Sequence, residues 1–206
     1  MKSIGKCLSE RYVLNGIIES RFRAAYAYIF DYMLNFLLYN LSLLTLGFLF
    51  HHPIAVTIYI IITGSLRAIT GGYHCKTRIL CYILSYTIFC IYLLTITTIP
   101  MISAYVLIPI YIICWILILV VSPVDTPNKV FSQSAKKTAR KKTYIIFFFN
   151  SIFTILSLLL HWNKDLIFID LSLIICATGL YTGYISNIRS CLLYTSDAAD
   201  DSLRVD

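Results

Sequence analysis

Residues 53–99 read PIAVTIYIIITGSLRAITGGYHCKTRILCYILSYTIFCIYLLTITTI. Two apolar runs, at about 53–66 and 79–99, lie on either side of a short polar segment. That segment, from Arg67 to Cys81, contains a histidine, two cysteines, two adjacent glycines and three cations. Nowhere else in the chain do groups capable of chemistry crowd together in this way. The pattern predicts a reactive segment at the surface of a membrane, held between two hydrophobic helices.

The whole chain has the composition of a membrane protein. Its 206 residues are 59% hydrophobic and 13% charged, whereas a soluble domain is about half apolar and a quarter charged. Further apolar runs lie at about 25–50, 102–121, 143–162 and 166–187. The run at 53–66 is short for a full crossing, so it borrows residues from the first run, tilts, or is re-entrant. We expect an all-α, multi-pass helical bundle of about six spans.

The two ends of the chain differ from its centre. Residues 1–24 carry five cations among regularly spaced apolar residues. This pattern predicts an amphipathic interfacial helix on the inner leaflet, the alternative being a solvated basic leader. Residues 190–206, SCLLYTSDAADDSLRVD, resemble the translation of a sequencing adapter. We therefore interpret 190–206 as a non-native tail that follows a single integral-membrane domain at 1–189.

The distribution of cations predicts the topology. With the N-terminus in the cytoplasm and six crossings, fifteen cations lie on the inner side and Lys164 alone on the outer side. Cytoplasmic loops of membrane proteins carry such an excess of lysine and arginine. We therefore expect a multi-pass protein of the cell membrane whose Arg67–Cys81 segment is cytoplasmic. The net charge of +7 does not predict nucleic-acid binding, because no soluble basic face accompanies it.

Cys81 is the predicted nucleophile of this segment. A thiol attacks as the thiolate, which a neighbouring histidine or cation favours. His74 is placed to take the proton and return it to a leaving amine, and Lys76 and Arg78 make the surroundings electropositive. The alternative for Cys81 is an inert packing residue at a helix start. Cys75 is a second candidate nucleophile, although its side chain is expected to diverge from that of its neighbour His74.

The spacing restricts how this pair can work. Seven residues of straight helix separate two side chains by about 10.5 Å, but a Cys–His pair needs about 3 Å. Residues 75–80 therefore cannot form one straight helix if His74 acts directly on Cys81. Gly71 and Gly72 allow backbone conformations that other residues resist, or form an ordinary turn. No paired ligand motif with zinc spacing is present, so we expect neither a metal nor another cofactor.

The segment resembles the accessory gene regulator B (AgrB) family of membrane cysteine endopeptidases. The resemblance lies in Arg67, Gly72, His74 and Cys81 with their seven-residue His-to-Cys step. GGYHCKT is similar to the clostridial branch, in which alanine often follows the histidine, and Cys75 departs from that pattern. We expect a loop at 122–142. It begins with SPVDTPNK, continues into a basic cluster, and is also similar to the family.

The resemblance implies an activity and a partner. The substrate would be an AgrD-like propeptide on the anionic inner leaflet, cleaved near its C-terminus and cyclised to a thiolactone or lactone for quorum sensing. Arg67, Gly71 and Gly72 would support the site or bind substrate, and a homodimer is compatible with the family. Asp31 would orient His74 or make an interhelical hydrogen bond. The alternative functions are a small membrane peptide transporter, with Asp31 and Asp170 in a polar path, or a non-catalytic scaffold.

Overall fold

All of the regular structure is helical in the part of the chain that the computed structural model describes. That part comprises residues 4–73, 75, 77–100, 102–125 and 131–202, with side chains up to Ile188 except that of Arg78. The helices are α1 (Ile4–Leu14), a short 3-10 turn (Ser20–Phe22), α2 (Arg23–Leu49), α3 (Pro53–Thr70), α4 (Arg78–Thr98), α5 (Ala104–Val121), α6 (Gln133–Leu159) and α7 (Asn163–Ser202). The predicted all-α class is confirmed.

Six of these helices are long and apolar enough to cross a membrane, by length and composition and within the described residues. They are α2 to α7, in agreement with the six predicted spans. The short run at 53–66 is extended at its end, so that α3 reaches 18 residues. The break before it lies where His51 adopts a positive φ of 60°. Pro53 then begins α3, a position that needs no backbone N–H donor.

The basic segment before the fifth span is the main difference from the predicted boundaries. Residues up to 142 were expected to form a loop, but α6 begins at Gln133 and continues without interruption to Leu159. The Ser132 hydroxyl caps this helix by accepting a hydrogen bond from the Ala135 N–H at 3.3 Å. Alanine, lysine and arginine, which follow the cap, are strong helix formers. The cations of this segment therefore lie on ordered helical turns.

The chain divides into two compact units, Met1–Val56 and Thr57–Asp206. In the first unit, α1 packs on the N-terminal half of α2. The Gly5 N–H donates to Asp31 Oδ1 at 2.8 Å, and the rings of Tyr12 and Phe30 stack 5.6 Å apart. An N-terminal helix is thus present as predicted, although it ends at Leu14 rather than near residue 24. Its predicted position on the inner leaflet stays a prediction.

The second unit is organised around α7. About 56% of the apolar part of α7 is buried, against 17–22% for α4, α5 and α6. Its core is a continuous apolar cluster contributed by three helices and one loop residue: Ile58, Ile62, Leu66, Cys114, Trp115, Ile118, Val124, Ile169, Leu173, Cys176, Ala177 and Leu180. The C-terminal half of α7 also contacts the segment that follows α3, through a hydrogen bond from the Tyr73 N–H to the Gly179 carbonyl oxygen. The boundaries predicted for the domain and the tail stay predictions.

Candidate active site

A glycine turn connects α3 to the extended segment that leads to α4. Gly71 and Gly72 adopt φ values of +77° and +135°, and the second value is strained for any residue with a side chain. The next residue, Tyr73, donates its backbone N–H to the carbonyl oxygen of Gly179 at 3.0 Å. The turn is therefore anchored on the backbone of α7, more than a hundred residues along the chain.

Two glycines of α7 make room for this turn. A Cβ atom on Gly183 would lie 2.6 Å from the Gly72 carbonyl carbon and 2.7 Å from the Tyr73 nitrogen. A Cβ atom on Gly72 would lie 3.3 Å from the Gly179 oxygen. The backbones of the turn and the helix thus approach more closely than any side chain would allow. Gly179 and Gly183 are required by this packing, and they follow the small-xxx-small spacing of close helix contacts in membranes.

Arg67 lies at the same place, near the end of α3. The guanidinium covers Gly179, where an added Cβ atom would come within 3.0 Å of the Arg67 Nη2 atom. Its side chain is half-buried. The structure therefore brings Arg67 and Gly72 together on one surface of α7, and Gly71 precedes Gly72 in the same turn. The supporting or substrate-binding roles of the three residues stay predictions.

Cys81 is in the first turn of α4. The helix begins at Arg78, and Thr77 caps it by accepting a hydrogen bond from the Leu80 N–H at 3.3 Å. The Cys81 N–H donates to the Thr77 carbonyl oxygen at 3.2 Å, and the residue is half-buried. Because Cys75 and Thr77 precede the helix, residues 75–80 do not form one straight helix, as the proposed pair requires. The N-terminal end of a helix favours negative charge nearby.

Of the other predicted site residues, the described part of the chain includes Cys75 and the backbone of Arg78. His74 and Lys76 lie outside the described residues, and of Arg78 only the backbone is described. Cys75 is half-buried in the extended segment. The approach of His74 to Cys81, and the roles of Lys76 and Arg78, therefore stay predictions.

The loop after α5 lies beside the same end of α3. The Val124 N–H donates to the Thr70 carbonyl oxygen at 2.9 Å, immediately before the glycine turn. The side-chain amide of Asn187, near the C-terminal end of the span in α7, donates to the Asp125 carbonyl oxygen. Hydrogen bonds thus connect the loop after α5 to the end of α3, about fifty residues earlier in the sequence, and to α7.

Asp125 joins this loop to the basic start of α6. Its carboxylate accepts hydrogen bonds from Lys136 Nζ at 2.7 Å and from the Phe131 N–H at 2.9 Å. The bond from Lys136, followed by that from the Phe131 amide, holds the pKa of Asp125 below its ordinary value. One turn further along α6, Arg140 Nε donates to the Ser122 carbonyl oxygen at 3.4 Å. Hydrogen bonds from Lys136 and Arg140 therefore connect the basic turns of α6 to the loop after α5, which in turn contacts the end of α3 before the glycine turn.

A comparison with family models identifies the chain. The model described as accessory gene regulator B matches residues 5–185. The chain belongs to the accessory gene regulator B family. A search of curated proteins and a search of solved structures found no significant match.

Membership of the AgrB family is consistent with a role in quorum-sensing peptide processing. The six apolar helices are those of a multi-pass membrane protein, and the family implies a peptide as partner in a general sense. The match covers the segment from Arg67 to Cys81 and the loop at 122–125, so both parts of the site described above lie inside the family region.

The structure of this AgrB-family protein adds residues that the motif does not contain. Gly179, Gly183 and Asn187 are spaced four residues apart on α7. The two glycines contact the glycine turn, and Asn187 contacts the loop after α5. The G-x-x-x-G spacing in an apolar helix is a signal that the sequence contained, although it does not tell which segment packs there. Asp31 makes the interhelical hydrogen bond to Gly5 that was one of its two expected roles. Its other role, orientation of His74, stays a prediction.

Proposed function

We propose that the protein is a membrane cysteine endopeptidase that cleaves an AgrD-like propeptide near its C-terminus and cyclises the product. The observation that carries this proposal is the anchored glycine turn, with Cys81 following it at the start of α4. A turn fixed to α7 through the Tyr73 N–H supplies a rigid frame for the short segment between Gly72 and Cys81. Rigid placement of reacting groups is a large part of enzymatic rate enhancement.

The proposed chemistry uses two residues of that segment, His74 and Cys81. His74 takes the proton of the Cys81 thiol, and the thiolate attacks the carbonyl carbon of a peptide bond. The carbon–nitrogen bond breaks, His74 returns the proton to the leaving amine, and the N-terminal part of the propeptide remains as a thioester on Cys81. An internal thiol or hydroxyl of the peptide then attacks the thioester. This step releases Cys81 and closes a thiolactone or lactone, without ATP because the acyl group stays activated.

The supporting residues have distinct parts in this proposal. Arg67, on the surface of Gly179, is a fixed cation next to the turn and is suited to hold a carbonyl or carboxylate of the substrate. Lys76 and Arg78 add positive charge around the thiol. The basic turns of α6 bind anionic lipid of the inner leaflet or the acidic tail of the propeptide. In this topology the N-terminus and the active site are cytoplasmic.

Cleavage in liposomes tests the proposal. The protein is reconstituted with its cognate propeptide, and cleavage and cyclisation are followed by mass spectrometry. Cys81→Ala and His74→Ala are expected to reduce cleavage to the level of empty liposomes. Cys75→Ala is expected to retain cleavage. Cys90→Ala is the matched control for Cys81→Ala, because Cys90 is an exposed cysteine on α4, the helix that also carries Cys81.

The other results would lead to a different function. Full cleavage by folded Cys81→Ala protein would refute the proposed nucleophile, and loss of cleavage only in Cys75→Ala would move that role to Cys75. Transport of the peptide without cleavage would favour a small membrane transporter. Peptide binding with neither activity would favour a non-catalytic scaffold.

A further inference from the structure

A cavity between α5, α6 and α7 lies away from the glycine turn. Its volume is about 260 Å³. Asp170 lines it, and this residue precedes Gly183 by thirteen positions on α7. At 1.5 Å per residue that is about 20 Å along the helix. The cavity is therefore distinct from the candidate active site.

The walls of the cavity are apolar over most of their surface. Leu107 and Leu166 are almost fully buried there, and Leu158 completes the apolar lining from α6. Ile108 and Ile155 also line it but are 39% and 55% exposed. The cavity thus opens between two residues on the outer surface of the helices, the surface that faces lipid in a membrane-spanning unit. An apolar ligand dissolved in the bilayer has direct access to it.

One ionisable group, the carboxyl of Asp170, interrupts these apolar walls. Asp170 is only 4% exposed, and its Oδ2 atom is buried without a hydrogen-bond partner among the described residues. The hydroxyls of Tyr111 and Ser151 share one hydrogen bond at 2.9 Å, and neither of them bonds to Asp170 Oδ2. Thr154 donates its hydroxyl to the Asn150 carbonyl at 2.9 Å. The described residues also provide no ion pair to Asp170.

A buried carboxylate oxygen without a donor is costly in a medium that excludes water. Since the described part of the protein does not supply the donor, a ligand with an N–H group would. A cationic donor makes the stronger hydrogen bond to a carboxylate, and the apolar walls select an alkyl or other apolar body. We infer that the cavity is a binding site for a lipid-soluble primary amine, whose ammonium group donates to Asp170 and whose apolar chain lies along α5 and α6.

Binding of n-octylamine to the full chain in phosphatidylcholine nanodiscs tests this inference, because phosphatidylcholine has no N–H donor. Wild type is expected to bind octylamine saturably, and octan-1-ol, of equal chain length, is expected to bind at least tenfold more weakly. Asp170→Asn is expected to weaken octylamine binding at least tenfold. Asp165→Asn is the matched control, since Asp165 is on the same helix but does not line the cavity.

A second pair of variants separates binding from any effect on folding. Leu158→Trp fills the cavity while leaving the carboxylate in place, whereas Leu159→Trp adds the same bulk on a surface that is 72% exposed. The first variant is expected to lose octylamine binding and the second to retain it, with both eluting as monodisperse protein. Unchanged octylamine affinity in folded Asp170→Asn and Leu158→Trp would overturn the inference, as would uptake no greater than that of empty nanodiscs.

The lipid composition of the nanodiscs identifies the source of the amine. If a phospholipid headgroup is the natural occupant, replacing half of the phosphatidylcholine by phosphatidylethanolamine will lower the apparent affinity for octylamine. If a free amphiphilic amine is the occupant, the affinity will be the same in both membranes. The two results assign the same ammonium site to different ligands.

Discussion

Replacement of Gly183 by alanine is the sharpest test of how the candidate active site is held. The new Cβ atom would lie 2.6 Å from the Gly72 carbonyl carbon. Ordinary van der Waals contact begins at 3.4 Å, so the turn would have to move away by the difference, 0.8 Å. The atoms in the way belong to the backbone, and a change of side-chain rotamer cannot relieve the contact.

The expected energies follow from this displacement. Overpacking of a close contact destabilises by about 1–3 kcal/mol, and a lost hydrogen bond from Tyr73 to Gly179 adds about 1 kcal/mol. Alanine in place of glycine stabilises the helix by about 1 kcal/mol through its higher helix propensity. The net loss of stability is therefore about 1–3 kcal/mol. A shift of about 1 Å in a catalytic group lowers rates by about a hundredfold, so cleavage is expected to fall by about 10- to 100-fold.

Two measurements on the same preparation separate these effects. Thermal unfolding in nanodiscs reports stability, and cleavage of the cognate propeptide in liposomes reports activity below the unfolding transition. Gly64→Ala is the matched control, because no atom lies within 4 Å of a Cβ at that helical glycine. Gly64→Ala is expected to keep the wild-type cleavage rate and to unfold at the same or a slightly higher temperature.

The reasoning would be refuted by a Gly183→Ala protein that cleaves as fast as wild type. In that case the turn either does not rest on α7 or does not position the reacting groups. A protein that loses stability in proportion to its activity, with full activity restored at low temperature, would assign Gly183 to folding alone.

Three further predictions concern other contacts. The Asp125–Lys136 ion pair contributes stability that is fully present above the ordinary aspartate pKa of about 3.9, because the folded-state pKa is lower, and it is lost as the pH falls through the folded value. The difference in unfolding temperature between wild type and Asp125→Asn should therefore stay constant down to about pH 4 and shrink as the pH falls further through the lowered pKa of Asp125; a difference that does not shrink would argue against the pair. Asn187→Ala removes the donor to the Asp125 carbonyl and should speed amide hydrogen exchange at 122–125 without changing exchange in α4. Gly5→Ala places a Cβ atom 2.7 Å from the Asp31 carboxylate and should lower the unfolding temperature through a loss of about 1–3 kcal/mol, whereas equal stability would contradict the packing of α1 on α2.

Local sequence patterns were sufficient for the spans and their breaks. Each span is a continuous apolar run, and a run of about 20 such residues is itself the signal for a crossing. The break between α2 and α3 lies at the gap between the runs at 25–50 and 53–66, where Pro53 is suited to the first helical position. The start of α6 was placed ten residues too late. Its basic first turns are helical by capping and propensity, which a search for apolar runs does not detect.

The residue types of the Arg67–Cys81 segment could also be interpreted locally. The packing surface that holds the glycine turn could not. Arg67, His74 and Cys81 are close in sequence, so their residue types and spacing predicted a cysteine site without knowledge of the fold. The surface that holds the turn is more than a hundred residues away, at Gly179 and Gly183. A glycine pair in an apolar helix predicts a close contact but not its partner.

The sequence by itself thus determined the helical class and the number of spans, and it predicted the reactive groups between two of them, because each depends on residues that are neighbours along the chain. Only the tertiary structure decided that α7 lies at the centre of the second unit. It alone showed that the glycine turn rests on α7, and that Asp170 lines an apolar cavity with its Oδ2 atom lacking a hydrogen bond from the described residues. These features depend on which faces of distant helices meet, and the apolar residues of a membrane helix, present on all sides, do not specify that choice.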